Sequence, residues 1–221
     1  MKIHTYNLGA YETNAYLVET DSKNAIIIDP ADKSDFLLDK IAEKGVSLDY
    51  IFLTHGHFDH ILAASKLALL TGAKIYVSEA DKELLSEPKK GVSFALDLLD
   101  FTPVTPDAFY KDGEEIVVDE ITIKVIATPG HTKGSVMLLF TSTTAQTDDN
   151  YNGLPTLFSG DTIFRDSIGN TWGDEAKLAE LLDSIKHALT ILPEDCNINP
   201  GHGKPTTLKR EQQYNMYINK L

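Results

Sequence analysis

The stretch Thr54-His55-Gly56-His57-Phe58-Asp59-His60 constrains this chain more than any other. It follows the apolar run Tyr50-Ile51-Phe52-Leu53 and precedes Ile61-Leu62-Ala63-Ala64. A buried strand therefore ends in a tight turn bearing three histidines and an aspartate, and a helix then begins. Gly56 leaves the backbone unhindered, so the imidazoles of His55 and His57 can converge. Asp59 and His60 sit at the helix start, where their side chains project back over the strand end. Four nitrogen and oxygen donors packed this closely can hold two borderline metals such as zinc. The chain has 7 histidines in 221 residues. Three within six positions is more than a merely polar loop requires.

The rest of the chain reads as alternating strands and helices. Residues 2–8, 14–20 and 24–29 form three short strands separated by turn residues. Ile26-Ile27-Ile28 is continuous rather than alternating, which predicts burial on both faces. That strand stops at Asp29-Pro30, and Asp29 can either support a ligand histidine or cap the next helix. Ser34 is the expected cap of a helix carrying Phe36, Leu37, Leu38 and Ile41, which Gly45 ends. After strand 49–54, the helix reaching Leu70 is apolar nearly all round and is expected to be buried. Lys74–Val77 is a strand, and a short charged helix follows near 79–86. Residues 87–112, broken by Pro88, Gly91, Pro103 and Pro106, read as a packed connection in preference to a flap. Residues 116–118 and 121–126 form a hairpin, 136–140 a strand, and Thr141–Gly153 a polar loop. Asp174 and Glu175 open an amphipathic helix with Leu178, Leu181, Leu182, Ile185 and Leu189 on one face. A final helix follows Asn197-Ile198-Asn199. The pattern is that of an α/β layered architecture in one domain over residues 1–221.

Charge narrows the partners. With 33 acidic and 20 basic residues the net charge is −13, which argues against nucleic acid or an anionic membrane, since both need a basic face. A small-molecule substrate is the remaining expectation. One cysteine, Cys196, cannot form an internal disulfide and fits a reducing cytosol. The N-terminus lacks the apolar region of a signal peptide, and no apolar run approaches the ~20 residues that span a bilayer.

Three further residues share one context of strand, glycine and ligand-capable side chain. His131 follows Pro129-Gly130, Asp161 follows Ser159-Gly160, and His202 follows Pro200-Gly201. Singly, each could be an ordinary loop residue; beside the first cluster they point to one centre. Ser65, Ser135 and Cys196 have no sequence-adjacent base and are not needed as nucleophiles.

These motifs resemble those of the metallo-β-lactamase-fold hydrolases, and most closely the glyoxalase II-like (hydroxyacylglutathione hydrolase-like) branch. The His-x-His-x-Asp-His run, the Pro-Gly-His-Thr-x-Gly loop, the Ser-Gly-Asp-Thr turn and the Pro-Gly-His-Gly loop occur in family order over residues 14–207. The resemblance implies a four-layer αβ/βα sandwich with two divalent metals, zinc first, with iron or manganese as alternatives. By position, His55, His57 and His131 would bind the first metal. Asp59, His60 and His202 would bind the second, and Asp161 would bridge them. The implied reaction is hydrolysis of a small thioester or ester by a metal-bridging hydroxide, so Asp59 is catalytic only as a ligand.

Two departures stand out. The branch carries a basic residue that meets the glutathione carboxylate where this chain has Asn170. The branch also continues into a helical C-terminal extension, whereas 19 residues follow His202 here. Little preference for a glutathione leaving group is therefore expected, unless Lys133 or Arg165 substitutes. A persulfide dioxygenase with one iron resembles the pattern too, but its Arg-Thr-Asp is broken here by Asn170-Thr171-Trp172. A metal-binding domain without catalysis is a third reading, against which seven intact ligand positions count.

Overall fold

A computed structural model describes residues 1–86, 101–143 and 153–221. Two six-stranded sheets lie face to face. The first runs in chain order: β1 (Lys2–Leu8), β2 (Thr13–Glu19), β3 (Asn24–Ile28), β4 (Ser47–Phe52), β5 (Lys74–Val77) and β6 (Ala108–Phe109). The second has the spatial order β14 (Thr206–Thr207), β13 (Asn197–Pro200), β10 (Thr156–Gly160), β9 (Val136–Ser142), β8 (Ile121–Ala127) and β7 (Glu115–Val118). A small hairpin, β11 (Ile163–Phe164) and β12 (Ser167–Ile168), follows β10.

The isoleucine run shows how the layers are built. Ile26 and Ile28 pack with Phe52, Val125, Phe140 and Phe158 between the sheets. Ile27 faces the other way, into a cluster with Ile51, Leu37 of α1 (Ser34–Lys44) and Leu67 of α3 (Ala64–Thr71). On the far side Ile126, Met137 and Leu139 pack against Leu181 and Ile185 of α5 (Glu175–Leu189) and Leu208 of α6 (Leu208–Tyr214). Period-two alternation in buried strands thus gives three apolar layers between four layers of structure, the expected αβ/βα sandwich. Asp174 caps α5, its carboxylate accepting from the backbone N–H of Ala176 and Lys177.

Several expectations need correction. Ser34 is the first residue of α1 and caps nothing; Lys33, at φ 53°, precedes the helix without a side-chain cap. The helix after the histidine cluster is two pieces, α2 (Phe58–Ile61) and α3, and it is not buried all round. Only Ala64 and Leu67 of α3 are buried, while Leu69 and Leu70 are 82% and 58% exposed. The helix lies in an outer layer, so one face alone can reach the sheet. The segment before the hairpin holds a strand that the proline-rich sequence concealed: β6 pairs in parallel with β5. Val104 is buried and its N–H donates to the carbonyl of Leu85 in α4 (Lys82–Ser86), so residues 101–112 are a packed connection. Residues 87–100, and residues 144–152 of the polar loop, lie outside the described residues.

The topology decides where ligands can meet. β3, β4, β5 and β6 are mutually parallel. β8, β10 and β13 are also parallel to one another, because β8 and β10 both pair antiparallel with β9 and β13 pairs parallel with β10. Their C-terminal ends fall on one edge, where loops carry the polar chemistry. The N–H of Val136 donates to the carbonyl of Thr54 and that of Asn14 to the carbonyl of Gly201, tying the two sheets together at this edge.

Candidate metal centre

Seven side chains converge at that edge. β4 delivers His55, His57, Asp59 and His60; β8 delivers His131, β10 Asp161 and β13 His202. Nδ1 of His57 lies 3.1 Å from Nε2 of His55 and 2.9 Å from Nε2 of His131. Nε2 of His60 lies 3.3 Å from Nε2 of His202 and 3.7 Å from Oδ2 of Asp59. His55, His57 and His131 form one group, and Asp59, His60 and His202 another; within each, the ligand atoms all lie within 4.8 Å of one another. Asp161 reaches both, 3.4 Å from Nε2 of His131 and 3.4 Å from Nε2 of His60.

The donors fit a metal pair. Oδ1 of Asp161 is buried and accepts no hydrogen bond, an arrangement that is costly unless a cation occupies its lone pairs. Gly201 leaves room for this carboxylate: a Cβ there would run into Oδ1 of Asp161 and come within 2.7 Å of Cε1 of His60.

Four of these side chains are held from behind. Asp29 accepts from Nδ1 of His60 at 2.9 Å, from the N–H of Thr54 at 2.7 Å and from its hydroxyl at 2.6 Å. It thus supports His60 and caps no helix, and these bonds hold it at φ 48°, where L residues are rare. Nδ1 of His131 donates to the carbonyl of Asn170 at 2.8 Å, and Nδ1 of His202 to that of Tyr11 at 3.0 Å. Thr13 donates to Oδ2 of Asp59 at 3.1 Å.

Asp81, which nothing in its sequence context singles out, is the largest omission. Its buried carboxylate accepts from the N–H of Gly56 at 2.9 Å, the N–H of Gly134 at 2.8 Å and the hydroxyl of Thr132 at 2.7 Å. It therefore staples the His55–His57 turn to the His131 loop. Gly134 is required for the approach, since a Cβ there would sit 2.6 Å from Cγ of Asp81. Burial pushes the Asp81 carboxyl above its ordinary value, against the opposing pull of these three donors.

The two groups differ in charge. Burial lowers His55 well below the usual histidine value, lowers His57 to about 3 and lowers His131. His60 behaves oppositely: against the burial penalty, Asp161, Asp59 and Asp29 raise it to about 9. His202 is likewise raised to about 10 by its bonds to Asp161 and Asp59, which overcome burial. Asp59 and Asp161 are held below the ordinary carboxylate range, because His60 and His202 outweigh their desolvation. Without metal, one group is three neutral imidazoles and the other an ionic lattice.

Comparison with known proteins decides the family. The sequence profile of the metallo-beta-lactamase superfamily matches residues 8–145. The chain belongs to this superfamily. It is 32% identical to hydroxyacylglutathione hydrolase GloC of Haemophilus influenzae, over 99% of each chain. The crystal structure of BLEG-1 B3 metallo-beta-lactamase superposes with a TM-score of 0.82 at 29% identity, covering 98% of this chain and 99% of that one. The structure of TTHA1623 in a di-iron-bound form superposes with a TM-score of 0.78 at 30% identity, covering 97% and 99%.

The sequence motifs lie on one edge, and a flank opens beside His57 and His131. A cleft of about 300 Å³ opens there, lined by Leu84, Lys133, Trp172 and Lys177 among others. Asn170 does not line it: its side-chain oxygen accepts from the N–H of Trp172 at 2.7 Å, inside its own loop. Trp172 stacks on His131 with centroids 5.2 Å apart and planes at 27°, and the Lys177 ammonium lies 5.5 Å over the indole. That side is lined by two lysines, Lys133 and Lys177, and by two carboxylates, Asp81 and Glu83. Arg165 is elsewhere, in an ion pair with Asp166 at 3.8 Å.

Proposed function

We propose that the chain is a binuclear metal-dependent hydrolase of small thioesters or esters. His55, His57 and His131 would hold one divalent metal, Asp59, His60 and His202 the other, and Asp161 both, with zinc as the metal and iron or manganese compatible with the same donors. The observation that carries this reading is Asp161, whose carboxylate stands between the two groups with one buried oxygen that accepts no hydrogen bond. Bound metals of this kind supply Lewis-acid activation of a carbonyl and of a water.

The protein's own contribution is position and charge. Asp29 and the carbonyls of Asn170 and Tyr11 fix ring orientation and present the opposite nitrogens inward. Asp59 and Asp161 offset positive charge where two dications would sit. The hydrolase named among the relatives acts, by its name, on a hydroxyacylglutathione, and this supports a thioester as the substrate here. Among the described residues no helix is long and apolar enough to cross a membrane. We place the chain in the cytoplasm, where a single cysteine with no internal disulfide is ordinary; burial pushes that thiol, Cys196, up to about 12 and leaves it unreactive.

The test is metal content with turnover. Two zincs per chain and hydrolysis of acyl thioesters are expected, and Asp161→Ala should weaken both metals and abolish activity. One iron per chain would favour a dioxygenase, and none an interaction domain. An Asp161→Ala protein that kept two metals and near-normal turnover would refute the shared role.

A further inference from the structure

Among the described residues the most deeply buried carboxylate is that of Glu211 in α6. Such a group is costly unless donors surround it, and four do. Oε1 accepts from the hydroxyl of Thr206 and from Nη1 of Arg210, the latter at 2.7 Å. Oε2 accepts from the amide of Asn215 at 3.1 Å and from the backbone N–H of Asp166 at 2.8 Å, 45 residues away. That last bond reaches out of the C-terminal segment to the tip of the β11–β12 hairpin. Asp166 has φ 65°, a left-handed conformation that an L residue keeps only when its surroundings impose it. The tip is gripped twice more. Arg210 bonds both carboxylate oxygens of Asp166, at 2.7 and 3.1 Å, and the Asn215 amide donates to the carbonyl of Ser167 at 2.9 Å.

The base of the same hairpin adjoins the candidate metal centre. The N–H of Gly169 donates to the carbonyl of Thr162 at 3.2 Å and closes it. A Cβ on Gly169 would run into the carbonyl oxygen of Asp161. The carbonyl of the next residue, Asn170, accepts from Nδ1 of His131 at 2.8 Å, and the ring of Phe164 lies 6.1 Å from that of His202. The hairpin is two residue pairs long, so tip and base are roughly 7 Å apart. A displacement at the tip has little chain in which to be absorbed before it reaches Asn170.

We infer that Glu211 is a positioning residue for the metal centre: through the Asp166 turn it fixes the β11–β12 hairpin, which presents the Asn170 carbonyl to His131. Glu211 makes no hydrogen bond to a candidate ligand among the described residues. Its influence falls on the three-histidine group, because His131 makes a hydrogen bond to this strut whereas His202 makes a ring contact alone. The inference rests on the metal-centre reading and adds to it a control exerted from α6.

Glu211→Gln tests this, since it keeps the size and one acceptor oxygen but strands one pair of donors. In the zinc-loaded protein, affinity at the three-histidine group should fall roughly tenfold, with the group of Asp59, His60 and His202 changed less than about threefold. Chelator competition reads both. The NMR signal of the His131 Nδ1 proton, identified by its loss in His131→Ala, should exchange with water roughly tenfold faster, which a role confined to holding α6 would not produce. Arg210→Gln, on the more exposed side of the tip, should give the same changes to a smaller extent. Leu37→Ala, which opens a cavity in the apolar layer outside the first sheet, controls for general destabilisation: stability should fall with both affinities and the proton signal unchanged. Glu211→Gln protein that lost both metals alike, or kept native affinity and exchange, would overturn the inference. If Glu211→Gln did not fold, Arg210→Gln would decide on the same two readouts: changes confined to the three-histidine group would sustain the inference, and native values would overturn it. If the native protein held no divalent metal, the metal-centre reading would fail and the His131 proton, followed in metal-free protein, would decide alone. Faster exchange in Glu211→Gln would then sustain the positioning role, and equal exchange would overturn it.

Discussion

Replacing Asp81 by alanine is the most informative single perturbation. The substitution leaves two buried backbone donors, the N–H groups of Gly56 and Gly134, without an acceptor. The Thr132 hydroxyl keeps a second partner, Oγ of Ser135 at 2.7 Å. At about 1–3 kcal/mol for each orphaned buried donor, the expected loss is roughly 2–6 kcal/mol of folding stability. The damage should be local to one metal. Asp81 joins the turn of His55 and His57 to the loop of His131, and it makes no hydrogen bond to Asp59, His60 or His202. Affinity for the metal at the three-histidine group should therefore fall about 10–100-fold, with the other metal retained. Urea denaturation followed by circular dichroism measures the first quantity, and stepwise chelator titration with elemental analysis the second. Asp81→Asn, which keeps one acceptor oxygen, should lie between alanine and the native residue. Equal loss of both metals in Asp81→Ala, or a change in urea midpoint within error of zero, would refute the stapling argument.

Further expectations concern the ligands themselves. His131→Ala should release the metal of the three-histidine group and His202→Ala the other; if each variant lost both equally, the division would be wrong. Metal-free His60 and His202, raised to about 9 and about 10, are protonated at neutral pH, so loading that group should expel up to two protons while the neutral trio expels none. Calorimetry in buffers of different ionisation heat counts them, and a total below about half a proton would contradict the charge assignment. The same raised values stabilise the metal-free fold below pH about 6.5, and that contribution should disappear as pH rises through about 9 to 10. Because Trp172 stacks on His131, metal uptake at the three-histidine group should alter its fluorescence; a silent emission on the first equivalent would count against that site.

The candidate ligands were legible in the sequence because four of them cluster within six residues after one strand, while His131, Asp161 and His202 each follow a strand and a glycine, local contexts that survive without coordinates. Burial of β3 on both faces was legible too, since Ile26-Ile27-Ile28 needs apolar partners on both sides, while the count of four layers followed from the family resemblance. Asp81 was not, because its meaning lies in contacts 25 and 53 residues away, within an unremarkable charged helix. The exposure of Leu69 and Leu70 was hidden for a related reason: an all-apolar helix pattern does not reveal that only one sheet is there to cover it. Asn170 does not reach the cleft, because its backbone and side chain are spent on His131 and Trp172; Lys133 was legible there, whereas Lys177 arrives from a helix with no motif.

The join between the chain's two ends sets the order in which the centre can come into being. Nδ1 of His202 meets the carbonyl of Tyr11 across 191 residues, and the Asn14 amide donates to the carbonyl of Pro200 across 186. His57 and His131 close a span of only 74. During synthesis the three-histidine group is complete while β13 has yet to be made, and its partner group waits for nearly the last residues. Closing the longer loop adds little equilibrium cost, because that cost grows only logarithmically, but long-range contacts form slowly. Capture of the second metal in a refolding experiment is thus a clock for completion of the fold, and it should lag the first by the time β13 takes to join its sheet.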